Sequence, residues 1–249
     1  MTPIVVAASA FLLISTGILI GSLIRSRLPE HHVTGDSKDT IKLATALVGT
    51  LSALVLALMF AATRSSFETT SAAVSRLAAD LTELDEVLED YGPQARPIRQ
   101  QLRADIDPLI RSIWYPEGGG ERRAAGSGRV GARALTMIRH LQPSDATQSS
   151  VHARALQLVN DISQARLSLF ARPPDSVSGP FMVVLVIWLV FLFSTFSMIT
   201  PPNPTLAVVL GISILSASAA LYLILELGLP FNGLMQVSDA SLRAALPPL

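Results

Sequence analysis

Cysteine is absent from the sequence, and charged residues are few. Without cysteine the chain can form neither a disulfide bond nor a thiolate metal site, and such chains occur on either side of a membrane. Only 15% of the 249 residues are charged, whereas a soluble domain usually carries about a quarter. Basic and acidic residues are equal in number, 19 of each. The chain therefore lacks the basic excess of a nucleic-acid-binding surface, and we expect no nucleic-acid partner.

Motifs for catalysis are missing as well. The sequence has no nucleophile elbow, no P-loop lysine and no His-Glu-x-x-His, so we predict no enzymatic activity, no catalytic residue and no cofactor. Adjacent His31 and His32 could ligate a metal, but neighbouring loop histidines are more often solvated, and we predict no metal site. Gly126, Gly128 and Gly131 match Gly-x-Gly-x-x-Gly, but no strand precedes them, as a dinucleotide site would require.

Long apolar windows are what the sequence does contain. Four of them have interiors without Asp, Glu, Lys or Arg: Ile4–Ile24, Ile41–Thr63, Phe181–Thr200 and Leu206–Leu227. Each is close to the roughly 20 residues that a helix needs to cross the hydrocarbon core of a bilayer. The first window lacks a basic n-region and is too long for the apolar core of a signal peptide, so we interpret it as a retained span. The sequence predicts a four-span protein whose partner is the lipid bilayer.

The polar middle of the chain has the pattern of a helical bundle. Its first part carries apolar residues at alternating steps of three and four, which is the seam of a packed helix: Val74, Leu77, Leu81, Leu84, Leu88 and Tyr91. Gly92-Pro93 should end that helix. Three further apolar stripes follow, within 102–113, 130–141 and 151–169. The Gly-rich stretch Pro116–Gly131 indicates a hinge or loop tip.

These patterns predict an all-α fold, because no window alternates with the period of two that a strand requires. We expect four parts: spans 1 and 2 with a short loop (1–63), an extramembrane helical bundle (64–179), a hairpin of spans 3 and 4 (180–227) and a C-terminal tail (228–249). Pro201–Pro204 should form the tight connection of the hairpin, since proline cannot continue a helix.

Two groups of acidic residues need different interpretations. The acidic run between Glu83 and Asp90 falls opposite the leucine seam, and we expect it to be the solvated face of its helix. Glu226 lies at the end of the fourth span, where a carboxylate is costly unless it is paired or hydrated, and it is therefore a candidate functional residue. The alternative, which we favour equally, is that Glu226 is an interfacial residue whose side chain snorkels to the membrane surface or caps a neighbouring helix.

The C-terminal part carries a family resemblance. The stretch from Trp188 to Thr205, followed by Leu223–Leu246, resembles the bacterial bestrophin-like family of four-span membrane proteins, whose domain has no assigned function. The family pattern is Glu-Leu-Asp-x-Pro-Phe-x-Gly followed by Ser and Leu-Arg. The sequence matches it at Glu226, Leu227, Pro230, Phe231, Gly233, Ser238, Leu242 and Arg243. It departs at Gly228, where the family usually has Asp.

The resemblance implies an oligomeric ion channel lined by the second span as in bestrophins. The channel should select anions if Lys42 and Arg64 lie near the pore mouths. One helical stripe of that span is polar at its ends and apolar in between: Lys42, Thr45, Gly49, Ser52, Leu56, Phe60 and Thr63. We predict that its polar residues line a hydrated entry and that Leu56 and Phe60 form an apolar gate, which can close by dewetting. Alternatively, the Thr and Ser hydroxyls bond carbonyls of their own helix and the stripe is buried packing.

A second stripe of the same span consists of small residues, which allow close helix packing in lipid: Ala46, Thr50, Ala53, Ala57 and Ala61. We expect a homo-oligomer that passes inorganic ions, with five subunits by analogy with bestrophins and four as the second choice. Two other function classes stay open. One is a membrane-anchored interaction or sensor protein, and the other, less favoured, is an intramembrane or lipid-handling enzyme.

Location and topology rest on separate arguments. The resemblance implies a bacterial inner or plasma membrane and a cytoplasmic helical domain. The positive-inside rule favours the reverse orientation, because Arg25, Arg27, Lys38 and Lys42 flank the first loop. Arginines near the membrane ends of the helical domain nearly balance that count, and we predict a cytoplasmic domain.

Overall fold

The computed structural model describes residues 2–27, 35–115, 132–171, 179–201 and 203–246. Within these ranges the chain forms eight α-helices and a short 3-10 turn at Pro93–Ala95. The helices are α1 (Pro3–Arg27), α2 (Asp36–Tyr91), α3 (Arg96–Trp114), α4 (Ala132–Arg139), α5 (Ala146–Ala171), α6 (Gly179–Ile199), α7 (Pro204–Leu227) and α8 (Ala240–Ala244). The described residues contain no strand, so the predicted all-α fold is confirmed. The Gly-rich stretch 116–131, its glycine pattern and the histidine pair at 31–32 lie outside the described residues.

Four of the described helices are long and apolar enough to cross a membrane: α1, α2, α6 and α7. They contain the four apolar windows of the sequence, except for Thr200, which follows the last residue of α6. Helix α2 has 56 residues, which corresponds to a length of about 84 Å at 1.5 Å per residue. It begins at Asp36, just before the second apolar window, and continues past Thr63 without a break.

The C-terminal, charged half of α2 packs in the helical unit with its predicted apolar seam facing inward. Every seam residue from Val74 to Tyr91 is buried, because the alternating steps of three and four place all of them on one face of the helix. The helix ends where the sequence indicated. Gly92 has a φ of +108°, a conformation that side chains disfavour, and its N–H donates to the Glu89 carbonyl at 3.0 Å.

The chain divides into two compact units. The first comprises Met1–Phe67 and Asp175–Leu229, and the second comprises Glu68–Pro174 and Pro230–Leu249. Residues 230–246, most of the predicted C-terminal tail, thus pack as part of the helical unit.

In the first unit, α1 and α6 approach very closely at two glycines. A methyl group at Gly17 would lie 2.9 Å from Cγ1 of Val190, and one at Gly21 would overlap the carbonyl oxygen of Ser194. Small residues permit such backbone contact, which is a main source of helix association in lipid. Arg25 adds a polar contact, because its guanidinium donates to the carbonyls of Met198 and Ile199 at 3.0 and 2.9 Å. These carbonyls belong to the last turn of α6, where no intrahelical donor remains.

A short connection joins α6 to α7. The side chain of Asn203 accepts a hydrogen bond from the N–H of Leu206 at 2.6 Å and thereby caps α7, which begins at Pro204. This is a preferred arrangement, since Asn at the cap satisfies a free donor and Pro in the first turn has none to lose.

Candidate functional site

The polar residues of the predicted pore stripe are buried in the structure. Thr45, Ser52 and Thr63 are 1%, 4% and 1% exposed. Each hydroxyl donates to a carbonyl three or four residues earlier in α2, at 2.7 to 3.0 Å. A hydroxyl satisfied in this way needs no water, so the arrangement matches the alternative in which the stripe is packing.

Two further stripe residues face helices of the same unit. A methyl group at Gly49 would lie 3.7 Å from Cδ2 of Leu192 on α6. Leu56 packs against an apolar cluster that is formed by Ala10, Met182, Leu185 and Leu221. The pore-lining role of these two residues, like that of the three buried hydroxyl residues, stays a prediction.

Lys42 and Phe60 are the stripe residues that remain exposed, the latter at 44%. The small residues of the neighbouring stripe are exposed as well, so this side of α2 is open to a facing helix. At 100° per residue, six exposed positions form one strip along this side, which we name the outward strip: Lys42, Ala46, Ala53, Ala57, Phe60 and Arg64. It has a cationic residue at each end, alanines in the middle and one large apolar side chain near its second end.

The cation at the first end is partly neutralised. Lys42 Nζ lies 3.0 Å from Oδ1 of Asp39, one turn earlier in α2, and both side chains are mostly exposed. An exposed pair of this kind contributes little to stability, but it reduces the local field of Lys42. Arg64 supplies the cation at the other end of the outward strip.

Glu226 is buried near the end of α7, with 3% of its surface exposed. Tyr222, one turn earlier, hydrogen-bonds to it through its side chain. Burial with a polar partner distinguishes Glu226 from a snorkelling interfacial side chain, and its functional role stays a prediction. Trp188, the first residue of the family resemblance, is half-buried in the middle of α6.

The remaining family-motif residues build a closed turn in the helical unit. The N–H of Val237 donates to the carbonyl of Pro230 at 2.8 Å. Within the turn, Gly233 has a φ of +116°, and the side chain of Gln236 donates to its carbonyl at 2.6 Å. Gly233 is thus required by its left-handed conformation, which other residues adopt only at a cost.

Trp114, the last residue of α3, anchors this turn. Its ring meets that of Phe231 edge-on, with 5.3 Å between the centroids, and its Nε1–H donates to the carbonyl of Val237 at 2.8 Å. Sequence reasoning missed Trp114, although it is one of only two tryptophans and closes the apolar stripe of α3. Pro230, Phe231 and Gly233 therefore have a structural role that the motif alone did not reveal.

A buried ionic group joins α2 to α3. Asp85 accepts four hydrogen bonds of 2.8 Å from Arg99 and Arg103, and Arg99 also contacts Glu89 at 3.0 Å. Burial alone would raise the pKa of Asp85, but the hydrogen bonds and charges of the two arginines lower it to about 2. The expectation of a solvated acidic face is wrong for Asp85, because α3 covers it with two cations.

A second acidic residue of α2, Asp80, is in the opposite situation. Burial raises its pKa, and the neighbouring carboxylates of Asp161 and Glu83 raise it further, while Arg76 and Arg154 act in the other direction. Arg154 also forms an ion pair with Glu83. Among the described residues, no three His, Asp or Glu side chains converge as metal ligands would.

Comparison with known proteins gives one finding. A family model described as a bestrophin-like domain matches residues 12–242, from the middle of α1 to the middle of α8. No curated protein and no solved structure matches the chain.

Proposed function

Since the chain belongs to the bestrophin-like family, we propose that it forms an oligomeric ion channel in the membrane and not an enzyme. The supporting observation is the outward strip of α2, which is exposed along the whole apolar part of the helix. Bestrophins line their pore with the second span, and this strip belongs to the side of that span which the described part of the subunit leaves uncovered. That side also includes exposed leucines such as Leu54 and Leu58.

The strip suggests how such a pore would be built. Rings of alanine leave a wide passage, whereas a ring of Phe60 side chains would narrow it with no polar partner for water. Hydrophobic constrictions of this type close by dewetting. We therefore assign the gate to Phe60 and place the axis on the exposed side of α2. The buried side, with Thr45, Ser52 and Thr63, then faces the subunit's own helices.

The number of subunits follows from symmetry and family. Identical head-to-tail contacts close into a ring, and the relation to bestrophins favours five copies, with four as the second choice. Inorganic ions are the proposed cargo. Lys42 and Arg64 would place cations near the two mouths, which favours anions, although Asp39 weakens the first of these charges. The inner or plasma membrane of a bacterium is the proposed location.

Ion flux into liposomes tests the proposal. Phe60→Ala should raise the flux above that of the wild type, because shrinking the side chain removes the dewetted constriction. The matched control is Leu58→Ala, an exposed apolar residue of α2 that lies off the strip, and it should leave the flux unchanged. The proposal fails if the wild type and Phe60→Ala both pass no ion across several anions and cations, or if the detergent-corrected mass is that of one chain.

A membrane-anchored sensor is the second candidate. It is favoured by the internal hydrogen bonds of Thr45, Ser52 and Thr63 and by the unbroken course of α2 from the apolar window into the helical unit. A ring of subunits without ion flux would support this candidate over the channel.

A further inference from the structure

The turn that carries the family motif presents an unusually apolar tip. Leu234 is 85% exposed and Met235 is 45% exposed. From Leu227 to Ser238 the sequence has no charged residue, so the apolar character of the fourth span continues beyond the end of α7. Loops in contact with water are normally polar, and an exposed large apolar side chain forgoes the favourable burial of its surface.

The structure leaves the tip exposed, whereas the base of the turn is bonded to the helical unit. The base of the turn is closed by the hydrogen bond between Val237 and Pro230 and is fixed to Trp114 through Phe231 and the carbonyl of Val237. Leu234 lies opposite this base, between Gly233 and Met235. A closed base with an exposed apolar tip fits an anchoring loop, since a turn whose backbone is already closed loses less freedom when it meets a partner.

Chain connectivity limits what the partner can be. Leu234 follows the last residue of α7 by seven positions, which at no more than about 3.6 Å per residue restricts it to roughly 25 Å from the end of the span. A span of 24 residues is about 36 Å long, so it extends past a hydrocarbon core of about 30 Å into the headgroup region. The tip is therefore tethered within reach of the lipid interface.

We infer that Leu234 and Met235 insert into the interfacial layer of the bilayer, where the turn acts as a lipid-facing anchor for the helical unit. The lipid surface fits the chemistry better than a soluble partner does, because the tip offers apolar side chains and no charge. The first charged residues that follow the tip along the chain, Asp239 and Arg243, pair with each other at 2.8 Å. This inference requires membrane insertion of the spans and does not depend on ion conduction.

The absence of cysteine makes a depth measurement direct. A nitroxide is attached to Leu234→Cys in the full chain in phosphatidylcholine liposomes, and its collision rates with oxygen and with a water-soluble nickel chelate are compared. The ratio of oxygen to nickel collisions should exceed, by a factor of several, the ratio at Gln100→Cys, an exposed position of α3. It should stay below the ratio at Ile212→Cys, an exposed position within α7.

Two results would overturn the inference. Equal nickel accessibility at Leu234 and Gln100 would show that the tip is in water. Low accessibility to both reagents, with an immobilised spectrum, would show that the tip is covered by protein, such as a second copy of the chain. Because the label replaces a mostly exposed side chain, the fold should be unaffected, and an unchanged circular dichroism spectrum checks this.

Discussion

Replacing Gly21 by Ala should destabilise the protein through the contact of α1 with α6. The added methyl would overlap the carbonyl oxygen of Ser194 and lie 2.9 Å from the carbonyl carbon, whereas carbon atoms pack favourably at about 3.5–4.0 Å. The partner is backbone, which cannot rotate away, so the two helices must separate. Overpacking of this kind typically costs about 1–3 kcal/mol.

Gly211→Ala is the matched control, because it makes the same change inside an apolar helix where no atom lies within 4 Å of the new methyl. Both variants gain the helix propensity of alanine, which is worth about 1 kcal/mol, so their difference isolates the overpacking. At about 2–4 °C per kcal/mol for a chain of this size, Gly21→Ala should melt several degrees below Gly211→Ala.

Thermal melting in detergent, with circular dichroism as the readout, measures this difference in Tm. Gly17→Ala should fall between the two, because the atom nearest to its methyl is Cγ1 of Val190 at 2.9 Å, which belongs to a side chain and can shift more readily than backbone. The reasoning fails if Gly21→Ala melts at or above the temperature of Gly211→Ala, since α1 and α6 would then not be in backbone contact.

Three further residues and the topology give shorter tests. The pKa of Asp85 is lowered from 3.8 to about 2, so its stabilisation is present above pH 3.8 and lost as the pH falls toward 2, about 2 kcal/mol in all. Urea midpoints between pH 2 and 5 should change less in Asp85→Asn than in the wild type. Trp114→Phe removes the hydrogen bond to Val237 and should cost about 1 kcal/mol, measurable as a lower Tm, whereas an unchanged Tm would contradict the anchoring role. If the channel proposal holds, Lys42→Glu should shift reversal potentials away from anion selectivity, more strongly at low salt because the field of a mouth charge is screened. A cysteine at Gln100 should escape an impermeant label added to intact cells, and its labelling would place the helical unit outside.

The sequence predicted the features that depend on local periodicity. The seam from Val74 to Tyr91 is buried because its spacing follows the helical repeat, and the helix ends at Gly92 because no other residue adopts that conformation as readily. The four apolar helices were predictable from the length and composition of their windows, since these alone qualify a helix to span a bilayer.

The features that the sequence did not predict depend on pairing between distant segments. Arg99 and Arg103 reach Asp85 across 14 and 18 positions, and Trp114 reaches Val237 across 123. Periodicity along one helix carries no information about such partners. The hydroxyl stripe of α2 shows a second limit. A wet stripe and a stripe that bonds its own carbonyls have the same spacing, so only burial separates them.

The glycine contact between α1 and α6 also has a consequence for biosynthesis. Arg25 and its acceptor at Met198 are 173 positions apart, and at roughly 5–20 residues per second the ribosome needs about 10–35 s to synthesise the chain between them. For almost all of that interval α1 is complete, while α6 is complete only at its end. The glycine surface of α1 that later contacts α6, at Gly17 and Gly21, must then face lipid, translocation machinery or another early span. A nascent chain released before α6 is made would expose that glycine surface and leave Arg25 without its carbonyl acceptors. Membrane quality control could distinguish such a chain from the finished protein by these two features.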